Sequence, residues 1–419
     1  MGIAGAGVSA VAAFAKSEGY EISGCDLDRE SQFLEPLIKN KVEVFFEHDP
    51  KHLKEIDILV VSPAIASLNP DNKELSFARE KNLPVMIGEE FLAKFLIKDK
   101  KILAITGTHG KSTTTAMVGR ILEESGFDPS VFVGAVVLDW GRNYRIGKGD
   151  FFVLEADEYQ EKFLLYKPFI SVVTALEMDH PEYFKDRQAV KSAFQKFVLQ
   201  TRKDGFVVLG NGVNLKTDNL KTISPVNYKF ELKLFGNYNQ ENAQIAATVG
   251  KILQIPKDKI KTGLKKFSGV SRRFEFKGEE KEVKIFEDYA HHPTAIACAM
   301  EAAKERFKNC RIWLVYQPHM FSRTKYLFND FVKVFKSLGI HETILVDIFP
   351  ARQENIENIY SKDIVKAVNQ PDVKYIGDFE KTANYLTKNV FAGDLVVVMG
   401  AGDVYKLSSL LLKKLANKI

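Results

Sequence analysis

Seven residues, Gly107-Thr108-His109-Gly110-Lys111-Ser112-Thr113, carry the most specific chemistry in the chain. They stand between an apolar run, KILAIT (101–106), and a helix-compatible run, TTTAMVGRILEES. Glycines in such a place let backbone N–H groups turn toward an anion, and the following helix N-terminus adds positive potential. Lys111 can then reach the β and γ phosphates, and the Ser112 hydroxyl can hold Mg²⁺. The usual phosphate loop has a further glycine five residues before the Gly-Lys pair, where this chain has Ile105, so the loop is a shortened GTxGKS. A Gly-rich turn with an exposed Lys is the alternative, and the GKS triplet between strand and helix favours nucleotide binding over it. The motif alone does not choose between ATP and GTP.

Other chemistry-bearing groups also follow apolar runs. Glu155-Ala-Asp157-Glu158 closes FFVLEA, and carboxylates at the carboxyl end of a parallel strand face the ligand crevice. Mg²⁺ takes one or two carboxylates beside phosphate oxygens and water, so Glu155 with Ser112 is an adequate set. For Asp157 and Glu158 a metal role and a solvated loop or helix cap weigh equally. ISVVTAL ends in Glu177-Met-Asp179-His180, a carboxylate and an imidazole at the same sheet edge. Asp288-Tyr289-Ala-His291-His292-Pro293-Thr294 holds two adjacent His in a chain with eight, suited to act as proton acceptor, metal ligand or phosphate partner. Zinc there lacks an HExxH or Cys partner. Gln317-Pro-His319-Met-Phe-Ser322-Arg323-Thr324 and Asp347-Ile-Phe-Pro-Ala-Arg352 each put a cation at a strand end, where a carboxylate or phosphate would be clamped. At the start, Gly2-Ile-Ala-Gly5-Ala-Gly7-Val-Ser9-Ala10 contains GxGxxA with Asp26 downstream, a dinucleotide-type pattern with almost no chain before Gly2 to make its first strand. A GKS loop further on argues against a dehydrogenase, because hydride transfer needs none.

Positioning these groups requires a series of sheets. Short β-branched runs alternate with amphipathic helix-length stretches along most of the 419 residues, the signature of α/β layers around parallel sheets. Strands are expected at 20–26, 56–65, 101–106, 151–156, 170–176, 206–210, 310–316, 342–349 and 394–400, with a charged hairpin over 272–290. The length gives two or three domains, and the charged stretch 97–101 and that hairpin set the divisions at 1–97, 98–271 and 272–419. Composition excludes other classes: 45% apolar residues argue against disorder, and a net charge of +5 from 59 basic and 54 acidic groups against nucleic-acid or membrane binding. Three scattered cysteines, Cys25, Cys298 and Cys310, form no disulfide framework and no cysteine-rich zinc site, as expected of a cytoplasmic protein. The apolar start, GIAGAGVSAVAAFA, lacks a basic flank and reads as a phosphate turn rather than a signal peptide.

Taken in order, GIAGAGVSA, GTHGKST, EADE, EMDH, GNYNQEN, RRFE, DYAHHPT, QPHMFSRT, DIFPAR and MGAGD make a set that resembles the Mur ligases of peptidoglycan synthesis over essentially the whole chain. The resemblance implies a Rossmann-like domain for a UDP-sugar, a central ATPase domain and a Rossmann-like C-terminal domain for the amino acid. DYAHHPT with QPHxxSRT and GAGD is most similar to the branch that joins L-alanine to the lactyl carboxylate of UDP-N-acetylmuramate, using ATP and Mg²⁺ and passing through an acyl phosphate. It implies Lys111 at the γ-phosphate, Ser112 and Glu155 on one Mg²⁺ and Glu155 with His180 at a second. Asn239 and Asn242 would contact adenine, Arg273 phosphate and Asp288 the ribose side. Gly5, Gly7, Ser9, Asp26 and Ser62 would line the UDP site, and His291, His292 and Arg323 would surround the amino acid. The chain is expected to act as a monomer or dimer.

Three positions depart from that family. Tyr238 replaces its usual His beside the retained Asn239. Met320 stands where many relatives carry Arg, forgoing roughly 1.5 to 3 kcal/mol of charged hydrogen bonding to the amino-acid carboxylate. Gln195 occupies the place of the carbamylated Lys of some members, so no carbamate is expected. Two rivals remain: a recycling ligase that attaches a tripeptide to the same nucleotide, and a nucleotide-dependent binding module without ligase chemistry.

Overall fold

The strands of the first hundred residues are all three residues long: β1 (Ser23–Cys25), β2 (Glu43–Phe45), β3 (Leu59–Val61) and β4 (Val85–Ile87). In the computed structural model, which describes residues 1–351 and 353–417, β1 pairs with β2 and β3 with β4, both parallel. Residues 1 and 2 lie between the pairs: the Gly2 N–H donates to the Cys25 carbonyl (2.9 Å), and the Ser62 N–H to the Met1 carbonyl (3.0 Å). Gly2 takes φ +78°, and a Cβ there would lie 2.7 Å from the Ser62 Cβ, so only glycine lets this turn approach the end of β3. The strand expected over 56–65 is shorter than its apolar run because Pro63, with φ fixed and no N–H, opens the helix Pro63–Leu68 instead.

A seven-stranded sheet follows, with β5 (Lys101–Thr106), β6 (Ser130–Val137), β7 (Arg142–Arg145), β8 (Phe151–Glu155), β9 (Ile170–Val173), β10 (Phe206–Leu209) and β11 (Lys221–Ile223). Its order is β11-β10-β9-β5-β8-β6-β7, parallel except for the β6/β7 pair, which periodicity did not reveal. The helix Ala6–Ser17 packs here through Phe14, whose ring meets those of Tyr144 (5.8 Å) and Phe152 (5.0 Å). These elements belong to one compact unit: residues 1–176, 191–231 and 242–268.

The second unit comprises residues 177–190, 232–241 and the chain from 269 on. Its six strands are β12 (Glu275–Glu280), β13 (Val283–Asp288), β14 (Ile312–Tyr316), β15 (Glu342–Val346), β16 (Val373–Gly377) and β17 (Leu395–Met399), in the order β12-β13-β17-β14-β15-β16. The expected charged hairpin is the antiparallel β12/β13 pair, and the remaining pairs are parallel. A parallel sheet covered on both faces needs apolar residues at every position, not alternate ones. Thus Leu314, Tyr316, Val397 and Met399 join one core cluster, while Trp313, Val315, Val396 and Val398 join another. No helix among the described residues is long and apolar enough to cross a membrane.

Candidate active site

Residues 107–110 join β5 to the helix Lys111–Glu124, whose first turn carries Lys111, Ser112 and Thr113, as the sequence demands. Gly107 (φ +132°) and Gly110 (φ +79°) occupy backbone regions that favour glycine, and a Cβ on Gly110 would sit 2.3 Å from the Asn242 Oδ1. Thr108 is anchored through its N–H to the Ala175 carbonyl (3.0 Å), and the Thr174 hydroxyl donates to the carbonyls of Thr106 and His109. No side chain caps the helix, so its first N–H groups stand available to an anion. Thr113 is buried behind them, and the Thr114 hydroxyl donates to Asn242 Oδ1 (3.2 Å).

Lys111 donates to the Gly107 carbonyl (2.7 Å) and to Glu158 Oε1 (2.8 Å). Burial alone would lower the Lys111 ammonium; the Glu158 carboxylate outweighs that and raises it. Glu158 is therefore the buried counter-ion of Lys111 and stands at the N-cap position of the helix Tyr159–Leu165 without a side-chain cap bond, whereas Asp157 accepts the Tyr159 N–H (3.1 Å) and pairs with Lys162 (2.6 Å). Glu155 accepts from the Ser112 hydroxyl (3.0 Å) through one oxygen and from the Gly134 N–H (2.7 Å) through the other. Two hard oxygen donors thus meet at the head of the phosphate loop, the donor type Mg²⁺ takes.

In the N-terminal turn Gly5 precedes the helix Ala6–Ser17, again without a side-chain cap, and Gly7 has open space where a Cβ would project. Asp26 does not reach outward: its Oδ2 accepts the Ala4 N–H (2.9 Å) and its Oδ1 the Asp28 N–H (3.0 Å). Ser9 is buried with its hydroxyl on the Ala6 carbonyl (3.1 Å), and Ser62 begins the helix Pro63–Leu68. The same Ala6 carbonyl accepts from Asn143 Nδ2 (2.8 Å), a buried side chain on β7 that no motif signalled. Gln195 grips the backbone of Lys216, donating to its carbonyl (2.5 Å) and accepting its N–H (2.8 Å).

In the second unit Asp179 and Arg323, from EMDH and QPHMFSRT, form a buried ion pair: Nε (3.1 Å) and Nη2 (2.9 Å) both donate to Asp179 Oδ1. Burial alone would raise the Asp179 carboxyl, but the Arg323 guanidinium holds it well below the usual range. Arg323 Nη1 also donates to His319 Nδ1 (3.1 Å), which fixes His319 as a neutral acceptor. Burial, then the neighbouring His291 and Arg323 charges, lower His319 to about 3. His291 donates from Nδ1 to the Tyr289 carbonyl (3.0 Å) and has Nε2 3.9 Å from Asp179; burial and Arg323 lower it to about 4. His180, at φ +54°, places Nδ1 2.8 Å from Glu182 Oε1.

Further sequence-selected groups also hold the backbone or neighbouring rings. His292 caps the helix Pro293–Arg306 by accepting the Thr294 N–H (3.3 Å). Asp288 is buried and accepts the N–H groups of Phe274 (2.8 Å) and Ala290 (2.7 Å). Arg273 lies over the Tyr289 ring (5.2 Å), and Asn239 donates to the Phe235 carbonyl (2.8 Å). Arg272 holds the MGAGD loop through the carbonyls of Gly400 (2.7 Å) and Gly402 (3.0 Å). Met320 precedes the helix Phe321–Tyr326, its sulfur 3.8 Å from Arg323 Nη1. Arg352 lies outside the described residues.

A shortened phosphate loop on a parallel sheet, with a carboxylate from the neighbouring strand on its serine, defines a nucleotide-binding α/β protein of the phosphate-loop class. Three family profiles match the chain: the Mur ligase family catalytic domain over residues 1–100, the Mur ligase middle domain over 105–220 and the Mur ligase glutamate ligase domain over 272–402. A UDP-N-acetylmuramate--L-alanine ligase of Acetivibrio thermocellus is 34% identical over 99% of this chain and 95% of its own length, and that of Clostridium kluyveri 36% over 99% and 97%. The crystal structure of the UDP-N-acetylmuramate-alanine ligase of Thermotoga maritima superposes with a TM-score of 0.82 at 25% identity, covering 100% of this chain and 98% of that one. The chain belongs to the Mur ligase family, with its three-domain α/β fold and its ATP-dependent, amide-forming class of activity.

Proposed function

We propose that the protein joins L-alanine to the lactyl carboxylate of UDP-N-acetylmuramate. The observation that carries this reading is the full-length likeness to ligases of that name in a chain whose phosphate loop has Lys111, Ser112 and Glu155 in mutual register. A carboxylate is a poor electrophile because the oxygen it would expel is a dianion. Phosphoryl transfer from ATP to that oxygen, with ADP leaving, makes an acyl phosphate. The alanine amine then attacks the acyl carbon, and phosphate and one proton depart as the amide forms.

Catalysis in such a sequence is chiefly positioning and charge neutralisation. Lys111 would exchange its Glu158 partner for the γ-phosphate, while the uncapped N–H groups at 110–113 and the Gly107-Thr108-His109 turn hold the remaining oxygens. Ser112 and Glu155 fit Mg²⁺, which would supply charge neutralisation on the phosphates. Asn239 and Asn242 are assigned to adenine, Arg273 to phosphate and Asp288 to the ribose side, His180 to a second metal position, and His291, His292 and Arg323 to the amino acid. Gly5, Gly7, Ser9, Asp26 and Ser62 would line the UDP site, Asp26 and Ser9 also holding the turn through the Ala4 N–H and the Ala6 carbonyl. Residues 1–97, 98–271 and 272–419 divide these tasks, in the cytoplasm.

The test is phosphate release with product identification by mass, offering all amino acids and, separately, the tripeptide. Release that requires UDP-N-acetylmuramate, Mg²⁺ and alanine together supports the reading. Equal ATP turnover without them, binding of the nucleotide sugar with no product, or preference for the tripeptide overturns it.

A further inference from the structure

In the first unit, away from the phosphate loop, four side chains that share no sequence motif converge. Cys25 ends β1, His48 follows β2, His52 lies in the short helix Pro50–Leu53 and Glu74 in the helix Lys73–Glu80. The Cys25 Sγ is 3.0 Å from Glu74 Oε2 and 3.3 Å from His48 Nδ1, and that nitrogen is 3.2 Å from the same Oε2. Cys25 and Glu74 are buried, and the two imidazoles nearly so. From ordinary Zn–S, Zn–N and Zn–O bond lengths, neighbouring donors around a tetrahedral ion lie roughly 3.3 to 3.6 Å apart. The three separations fall short of it by no more than about half an ångström, a shift within reach of side-chain rotation.

We propose that Cys25, His48 and Glu74 bind one Zn²⁺ ion, completed by water, and that it pins the N-terminal α/β segment. A thiolate, an imidazole and a carboxylate together select a borderline-soft divalent ion and disfavour Mg²⁺, which keeps to oxygen. His52 acts as the orienting residue: its Nδ1 lies 3.0 Å from the other Glu74 oxygen, and its ring is locked by stacking on Phe45 (centroids 4.0 Å, planes 9° apart). Such an ion suits this part of the fold, where four three-residue strands supply only a small core and each ligand comes from a different element. Cys25 immediately precedes Asp26, which holds the Ala4 N–H, so the ion fixes the strand end that shapes the N-terminal turn.

The experiment uses the full chain, stripped with chelator, dialysed and kept in excess Mg²⁺. Zinc is titrated against a competing indicator, and Co²⁺ is added as a spectroscopic substitute. The expected result is one tight equivalent of zinc and a near-ultraviolet thiolate-to-cobalt band that Cys25→Ser abolishes and Cys298→Ser with Cys310→Ser leaves intact. His52→Ala should weaken zinc binding about 10- to 100-fold while keeping the band. Zinc should raise the melting temperature of the wild type and leave that of Cys25→Ser unmoved. Absence of the band in the wild type, its survival in Cys25→Ser, or equal zinc affinity in Glu74→Gln overturns the proposal. Should Cys25→Ser fail to fold, the spectrum of the Cys298→Ser/Cys310→Ser protein decides alone.

Discussion

Replacing Lys111 by Ala should injure the protein twice, and the two injuries separate. Glu158 is 1% exposed and Lys111 18%, so the truncation leaves a carboxylate buried without its cation. Removing one member of a buried pair costs about 3 to 5 kcal/mol, and the partial exposure of Lys111 argues for the low end, about 3. Independently, losing a preorganised charge at the phosphates should lower turnover by about 10²-fold or more, equivalent to about 2.7 kcal/mol of transition-state stabilisation. Adding Glu158→Gln to Lys111→Ala removes the stranded charge, so about 2 kcal/mol of stability should return with no recovery of turnover. Urea unfolding followed by fluorescence reads the first effect, initial rates of phosphate release the second. Because Glu158 raises the Lys111 ammonium, the stability it confers is complete below about pH 10.4 and declines as pH climbs through the raised folded value. Full activity in Lys111→Ala would sink the phosphate assignment; a double variant no more stable than the single would sink the argument from the buried charge.

Glu155→Gln should raise the Mg²⁺ concentration needed for half-maximal phosphate release by about tenfold or more, since Ser112 would be left with a neutral amide partner; an unchanged Mg²⁺ dependence counts against that assignment. Gly110→Ala forces a side chain into φ +79° and against Asn242 Oδ1, so it should cost about 1 to 3 kcal/mol in unfolding experiments and weaken ATP binding. Asp179→Asn strands Arg323 and should destabilise the second unit by about 3 to 5 kcal/mol. The wild-type pair contributes fully above about pH 3.9, the unfolded carboxylate value, and its stabilisation is lost as pH falls through the depressed folded value. An acid-unfolding midpoint identical in wild type and variant would contradict it.

Much of this molecule is legible in its residues. The loop 107–113, the strands beginning at 101, 151, 170, 206 and 342, and the charged hairpin follow from glycine placement, β-branched runs and turn chemistry. These are interactions within about ten residues, so the chain carries them wherever it lies. Strands β2, β4 and β11 were not expected because three residues make no periodicity, and β7 because RNYR buries two adjacent residues, one of them polar, and does not alternate; β6 and β16 were not expected either. The antiparallel β6/β7 turn, unseen in the pattern, delivers Asn143 to the Ala6 carbonyl.

Residue types alone announced a nucleotide ligand, acidic and imidazole groups at strand ends and a layered α/β build. Which of those groups touch was settled by the sheets. Lys111 meets Glu158 across 47 residues, Arg323 meets Asp179 across 144, and Cys25 meets Glu74 across 49. His292, chosen from sequence as a reactive imidazole, also accepts the Thr294 N–H at the start of its helix. Local propensity fixes what a segment becomes. The pairing of distant charges depends on which strands adjoin and on how deeply each carboxylate is withdrawn from water, quantities that exist only once the chain has folded.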